Sequence, residues 1–384
     1  MEVQRIDRLG VLLVLVGGLA LCCLPLLVFK ANRIVPGEPR ALLEVLPAWM
    51  AIMFYGVLVA TALVALRPAN PRLRLIAALV GIAVVVATLA AAASALTPAG
   101  NRVVRVAPGA GFWVVVIALS LLATDALTRL RPGPLLRVLT LAAFLAIALV
   151  ALGSGFFDDL SIMREYAVNA TRFAREARQH LRLALGTLAA AVLVALPLGV
   201  VCHRNRRLQG AVLGVLNFVQ TIPSIALFGI LMAPLAALAA AVPALAAMGV
   251  SGIGTAPAAI ALFLYSLLPI VGNTVVGLAR VDPAAVDAAR GMGLTDWQAL
   301  RQVELPLALP TILTGIRIVL VQNIGLVTIA ALIGGGGFGA FVFQGIGQTA
   351  IDLVLLGAIP TVVLAFSAAV VLDALTDLTR RVPR

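Results

Sequence analysis

Ten stretches of roughly twenty residues run through this chain almost free of charge, and each is long enough to cross the hydrocarbon core of a bilayer as a helix. They lie near 10–29, 48–66, 75–95, 112–130, 137–153, 183–201, 211–233, 257–279, 310–333 and 351–375. Inside lipid every backbone polar group must be paired within the segment, so runs of this length read as helices. The expected fold class is all-α: a polytopic membrane protein with about ten transmembrane helices. Of the 384 residues 62% are hydrophobic and 11% charged. Soluble domains sit at about 45–50% and about 25%, so a soluble globular enzyme is excluded. The same hydrophobicity excludes a disordered chain. One more apolar stretch, 235–250, is alanine-rich, short and broken by Pro243, and is expected to be re-entrant or to lie on the membrane surface.

The formal net charge is +12 and the sequence pI is near 11.3. A balance this basic can mark nucleic-acid binding, but here the arginines sit in short clusters between apolar runs. Seventeen of the 28 basic residues fall on one face of a ten-span topology, in 1–9, 67–74, 129–137, 202–210, 280–305 and the C-terminal tail. Positive residues favour the cytoplasmic side. Both termini and the 280–305 loop are therefore expected in the cytoplasm, and Arg317, a few residues into its span, is expected to snorkel to the headgroups. The stretch from Leu9 to Phe29 is longer than the apolar part of a signal peptide and reads as a retained first span. Three cysteines and two histidines offer no disulfide framework and no metal-ligand spacing. No cofactor is expected on this chain.

Segment 154–182 differs from its surroundings. Its charges are spaced for a helix, with Ile162, Tyr166, Val168 and Phe173 between them. An amphipathic helix on the outer surface is expected there. It separates an N-terminal block of five spans (1–153) from a C-terminal core (183–384).

Residues 280–310 read RVDPAAVDAARGMGLTDWQALRQVELPLALP. Asp282 before Pro283 suits an N-cap followed by proline at the first helical position. Gly291 and Gly293 are placed to end that helix. Thr295 and Gln298 fit the capping box of a second helix, and Pro306 and Pro310 mark the start of the next span. The loop thus presents small side chains on a short helix, a shape suited to docking another protein.

This pattern resembles the permease subunits of bacterial ABC importers. Their coupling loop reads Glu-Ala-Ala, three residues, Gly, nine residues, then Ile-x-Leu-Pro. Here stand Asp287-Ala288-Ala289, Gly293 and Val303-Glu304-Leu305-Pro306 at the same spacing, with Asp for Glu and Val for Ile. Further segments (220–224, 267–270, 280–283, 289–293 and 331–339) are similar to the osmoprotectant branch, over about residues 178–380. The resemblance implies a type I, MetI-like permease core and import of a quaternary amine such as glycine betaine, choline or carnitine. It also implies a cytoplasmic ATPase docked at Asp287, Ala288, Ala289, Gly291, Gly293, Leu294, Trp297, Val303, Leu305 and Pro306, carrying the ATP and Mg²⁺. An extracytoplasmic binding protein, a second permease copy or paralogue, and a place in the bacterial inner membrane are implied as well. The N-terminal five spans resemble those of enlarged permeases in some low-affinity betaine importers.

Polar groups within the spans are few. Asn217, Gln220, Thr221 and Ser224 fall on one helical stripe, Ser266 and Asn273 are seven apart, and Gln322 adjoins Asn323. They can line a translocation path or bond helices to one another. The run Gly334–Gly339 lacks the Lys-Ser/Thr of a phosphate loop and is expected to be a mobile turn between spans. A secondary transporter without an ATPase would match the hydrophobicity equally well, but it leaves the spaced loop motif unexplained.

Overall fold

The computed structural model describes residues 7–32, 35–67, 70–98, 100–101 and 103–380; the expectations for Arg5, Arg381 and Arg384 lie outside them. The chain divides into two compact units, residues 1–133 with 143–168, and residues 134–142 with 169–384. Among the described residues nine helices are long and apolar enough to cross a membrane, and Arg8–Cys23 is a shorter apolar one.

In the first unit α1 (Arg8–Cys23) is followed by strands β1 (Leu27–Lys30) and β2 (Glu38–Arg40). Then come α2 (Leu42–Val45), α3 (Ala48–Leu66), α4 (Pro71–Leu96), β3 (Arg105–Pro108), α5 (Ala110–Leu130) and α6 (Pro134–Gly153), whose first turns belong to the second unit. The strands pair antiparallel in the order β2-β1-β3, with Leu27 opposite both Arg40 and Pro108. This corrects the first expected span. It stops at Cys23 because Leu24 precedes Pro25 and is driven to extended angles (φ −120°, ψ 143°). Sixteen residues give about 24 Å of helix, and the chain then turns into the sheet. The start of α5 lies tight against the segment that leads into β1: a Cβ at Gly109 would stand 2.2 Å from Pro25 O.

One end of this unit holds a charge network. Arg74 in α4 is fully buried and binds Asp7, the N-cap of α1, at 2.6 Å. Arg129 binds Asp7 at 2.8 Å and Asp125 at 2.9 Å. The Arg74 guanidinium holds the Asp7 carboxyl well below the usual carboxylate range. Arg74, counted with the surface positives from sequence, is an internal tie between helices.

Next in the chain is α7 (Ser161–Arg204), whose first eight residues belong to the first unit and the rest to the second. The segment expected as a separate surface helix is, from Ser161, the polar half of this one helix. At 44 residues it extends about 66 Å, twice a bilayer core. The span expected at 211–233 is instead two helices, α8 (Arg206–Thr221) and α9 (Ser224–Ala241). The break falls at Ile222, which precedes Pro223 and takes φ −71°, ψ 125°. Residues 235–241 complete α9, and α10 (Pro243–Ala247) is a single short turn.

Next are α11 (Thr255–Ala279), α12 (Pro283–Gly291), α13 (Asp296–Ala299), α14 (Leu305–Ala330), α15 (Gly339–Gly347) and α16 (Ile351–Arg380). A π-helical turn, Leu300–Glu304, joins α13 to α14 without a loop. In an α-helix Pro306 would press on the carbonyl of Gln302, four residues back. The wider turn ends at Glu304, two residues before that proline. Arg317 does not reach for headgroups: it pairs with Asp373 of α16 at 2.5 Å, and Arg137 holds Asp373 and Asp377 at 2.8 and 3.0 Å.

Candidate functional site: coupling loop and polar core

The loop between α11 and α14 forms from its own short-range chemistry. Asp282 Oδ1 accepts the Ala284 N–H at 2.9 Å, and Pro283 starts α12. Gly293 alone ends it in the left-handed region (φ +84°), while Gly291 is its last helical residue. The Leu294 N–H then closes on Ala289 O at 3.1 Å. Thr295 caps α13: its Oγ1 accepts from Gln298 N–H, and Gln298 Oε1 accepts the Thr295 N–H at 2.8 Å. Arg290 reaches across to Asp296 at 3.1 Å and braces the two helices.

This arrangement sorts the motif residues. Ala289, Ala299 and Leu300 are buried. Leu294, Val303 and Leu305 are half-buried, while Asp287, Ala288, Gly291, Gly293 and Pro306 are exposed. Two large apolar side chains stand out on the exposed side, Met292 at 74% and Trp297 at 64%. Exposed apolar groups on a small-residue surface mark a place where another surface can sit. The sequence reading named Trp297 and missed Met292. It also missed Glu304, which is 3% exposed and binds Arg204, at the end of α7, at 2.7 Å. Glu304 occupies the unassigned position between Val303 and Leu305, so the motif carried no signal for it.

The expected path residues part company. Asn323 and Ser266 are fully buried and face each other: Asn323 Nδ2 donates to Ser266 Oγ at 3.0 Å and to Thr187 Oγ1 at 3.1 Å. Ser266 and Thr187 in turn donate to Leu262 O and Leu183 O of their own helices, both at 2.6 Å. The knot ties α7, α11 and α14 together through both N–H groups of Asn323. The stripe through 217–224 is interrupted, because Ser224 begins a new helix after Pro223. Asn217 and Thr221 are exposed, and Thr221 Oγ1 bonds Phe218 O at 2.7 Å within its own helix.

Gln220 has a definite task. Pro269 has no N–H, so the carbonyl of Tyr265 four residues earlier loses its helix partner. Gln220 Nε2 donates to that carbonyl at 2.7 Å, while the Tyr265 hydroxyl donates to Ile222 O at the break between α8 and α9. Asn273 Nδ2 donates to Pro269 O at 2.8 Å, and Gln322 is half-buried.

At the other end of the core the glycine run is held rather than loose. Gly334, Gly336 and Gly337 take positive φ of 80°, 75° and 83°, which explains the residue type. Glu176 accepts the Gly337 N–H at 2.9 Å, His180 Nδ1 accepts the Phe338 N–H at 3.3 Å, and Gln179 donates to Gly335 O at 3.1 Å. The polar half of α7 is thus the seat of this loop.

Residues 166–381 match the model of the binding-protein-dependent transport system inner membrane component. The chain belongs to that family. Residues 7–163 of the permease match a second model, the N-terminal domain of ABC transporter permease YehY. The osmoprotectant import permease protein OsmW of Salmonella typhimurium is 44% identical over 197 residues, 51% of this chain and 86% of that protein. The carnitine transport permease protein OpuCD of Listeria monocytogenes is 38% identical over 208 residues, covering 54% and 86%. The glycine betaine/carnitine/choline transport system permease protein OpuCB of Bacillus subtilis is 37% identical over 203 residues, covering 53% and 84%. A chain of an inward-facing MetNI methionine ABC transporter aligns over 54% of the permease and 96% of its own length, at 22% identity and a TM-score of 0.44. The permease is a subunit of an ABC transporter, a multi-pass membrane protein rather than an enzyme, and a secondary-transporter reading falls away.

Proposed function

We propose that this permease is the membrane-spanning subunit of an importer for a quaternary-amine osmoprotectant such as glycine betaine. The three relatives, named for osmoprotectant, carnitine, choline and glycine betaine transport, support that substrate class. In this reading two copies, or one copy and a paralogue, enclose the path, and an extracytoplasmic binding protein delivers the solute. The arginine distribution supports cytoplasmic termini and a cytoplasmic 280–305 loop. ATP and Mg²⁺ stay on a partner ATPase, and the chain described here binds no cofactor.

The observation that carries the reading is the exposed face of α12 and α13: Asp287, Ala288, Gly291, Gly293 and Trp297, with Met292 beside them. Small residues let a partner's backbone approach, and the two large apolar groups supply area to bury. Force applied there has a rigid route inward. Arg290 bridges α12 to α13, and α13 continues through the π turn into α14. Glu304 brings α7 into the same movement through Arg204. Gln220, Ser224, Asn273 and Gln322 remain candidates to line the path, with Asn217 and Thr221 at its margin. Ser266 and Asn323 hold the helices in register.

Uptake of labelled glycine betaine by cells lacking their own betaine importers tests the assignment. Ala288→Trp is expected to reduce uptake to below a tenth while the chain still accumulates in the membrane. Unchanged uptake by this variant would remove the docking face. Competition by choline and carnitine, but not by a neutral amino acid, is the expected substrate profile.

A further inference from the structure

In the first unit α1 and α3 meet at one end and part beyond it. A Cβ at Gly10 would stand 1.9 Å from Ala65 O, and the Asp7 N–H donates to Leu66 O at 3.2 Å. Past that contact Gly17, Gly18 and Ala62 leave a crevice of about 270 Å³, floored by Ala118 and Leu122 of α5 and walled almost entirely by hydrocarbon. An apolar cavity of about 150 Å³ already accepts benzene, so this one has room for a length of hydrocarbon chain.

The charges around the crevice are unevenly distributed. Where α1 begins and α3 ends, the acids among the described residues, Asp7 and Asp125, are spent on Arg74 and Arg129. Arg8, Arg67, Arg72 and Arg131 are exposed there, and no ion pair engages them among the described residues. Leu13 on the crevice wall lies about 7.5 Å along α1 from Arg8, and Ala65 is two residues before Arg67. At the opposite end, where α1 leads into the sheet, the charges are mixed: Arg40 pairs with Glu38, and Glu44 is exposed. An apolar slot with guanidinium groups, unpaired among the described residues, just beyond one end matches a molecule with a hydrocarbon tail and an anionic head.

We propose that the crevice seats one acyl chain of an anionic phospholipid, with the phosphate held by Arg8 and Arg67. Native mass spectrometry of the full chain in detergent, with dioleoylphosphatidylglycerol or dioleoylphosphatidylcholine added, tests this. The phosphatidylglycerol is expected to be retained at least tenfold more tightly. Arg8→Gln and Arg67→Gln should each weaken it about fivefold, the effect of one basic residue near an anionic lipid surface, and leave phosphatidylcholine unchanged. Gly18→Leu, where a Cβ would meet nothing within 4 Å, should weaken retention of both lipids without altering the unfolding temperature of the lipid-free chain. Equal retention of the two lipids, or full phosphatidylglycerol retention by the double arginine variant, overturns the proposal. So does complete displacement by inorganic phosphate, since the acyl chain would then contribute nothing.

Discussion

At the coupling loop the largest apolar side chains, Met292 and Trp297, stand exposed, whereas in α7, α11 and α14 the buried Thr187, Ser266 and Asn323 are bonded to one another. Both regions were candidate sites in the sequence, and both contain residue types rare in membrane helices. The difference lies in what remains available. The loop folds on its own caps and keeps a free face, so its residues can act on a partner. The Thr187–Ser266–Asn323 knot uses its hydrogen-bonding capacity internally, so its residues can only hold. A buried amide whose N–H groups are both spent on neighbouring helices, as at Asn323, is evidence of holding rather than of transport.

The sharpest way to break this comparison is at Gly293. Its φ of +84° costs an L-residue with a branched side chain of the order of the left-handed penalty, about 1–2 kcal/mol for L-residues generally. Gly293→Val is expected to abolish transport, to under a tenth, with normal membrane insertion. Normal uptake would mean that the loop's shape is immaterial. Next in size is the link between loop and core. Arg204→Gln leaves Glu304 buried and unpaired, and because Arg204 is 41% exposed the loss should be about 1–3 kcal/mol of stability rather than the full buried-pair value. Glu304→Gln should cost less, since the freed arginine can turn to water. Unfolding temperatures in detergent check the order, and the reverse order would show that Arg204 is the constrained partner.

Asn323→Leu tests the holding role. Interhelical hydrogen bonds in membranes average about 0.6 kcal/mol, and Ser266 and Thr187 keep their own carbonyl partners, so a stability loss of about 1 kcal/mol is expected. The KM for glycine betaine should not move; a large rise in KM would return Asn323 to the path. The smallest effect is expected from Gln220→Leu, which strands the Tyr265 carbonyl beside Pro269 at a cost of about 1 kcal/mol or less. No loss at all would mean that water or another group already serves that carbonyl.

Legibility followed range along the chain. The caps at Asp282, Thr295 and Gln298 and the motif spacing are local, and the structure forms them as the residues dictate. Long apolar helices were legible for the same reason. Hydropathy averages over a window, so it ran through Pro25 and Pro223, where the restricted residue before each proline stops a helix. Strands of three or four residues are too short to show an alternation. The burial of Arg74, the Arg204–Glu304 pair and the seat of the glycine loop on Glu176 and His180 join residues far apart in sequence. No spacing rule reaches them.

Thiol cross-linking at the loop tests the central claim most directly. In a chain whose Cys22, Cys23 and Cys202 are replaced by alanine, Ala288→Cys should cross-link to a co-expressed ABC ATPase and resist an impermeant maleimide added outside intact cells. Met248 lies between α9 and α11, at the end of α11 away from the 280–305 loop, and is 80% exposed; Met248→Cys should show the opposite pattern. An Ala288→Cys chain that is labelled from outside, or that never captures the ATPase, would contradict the account.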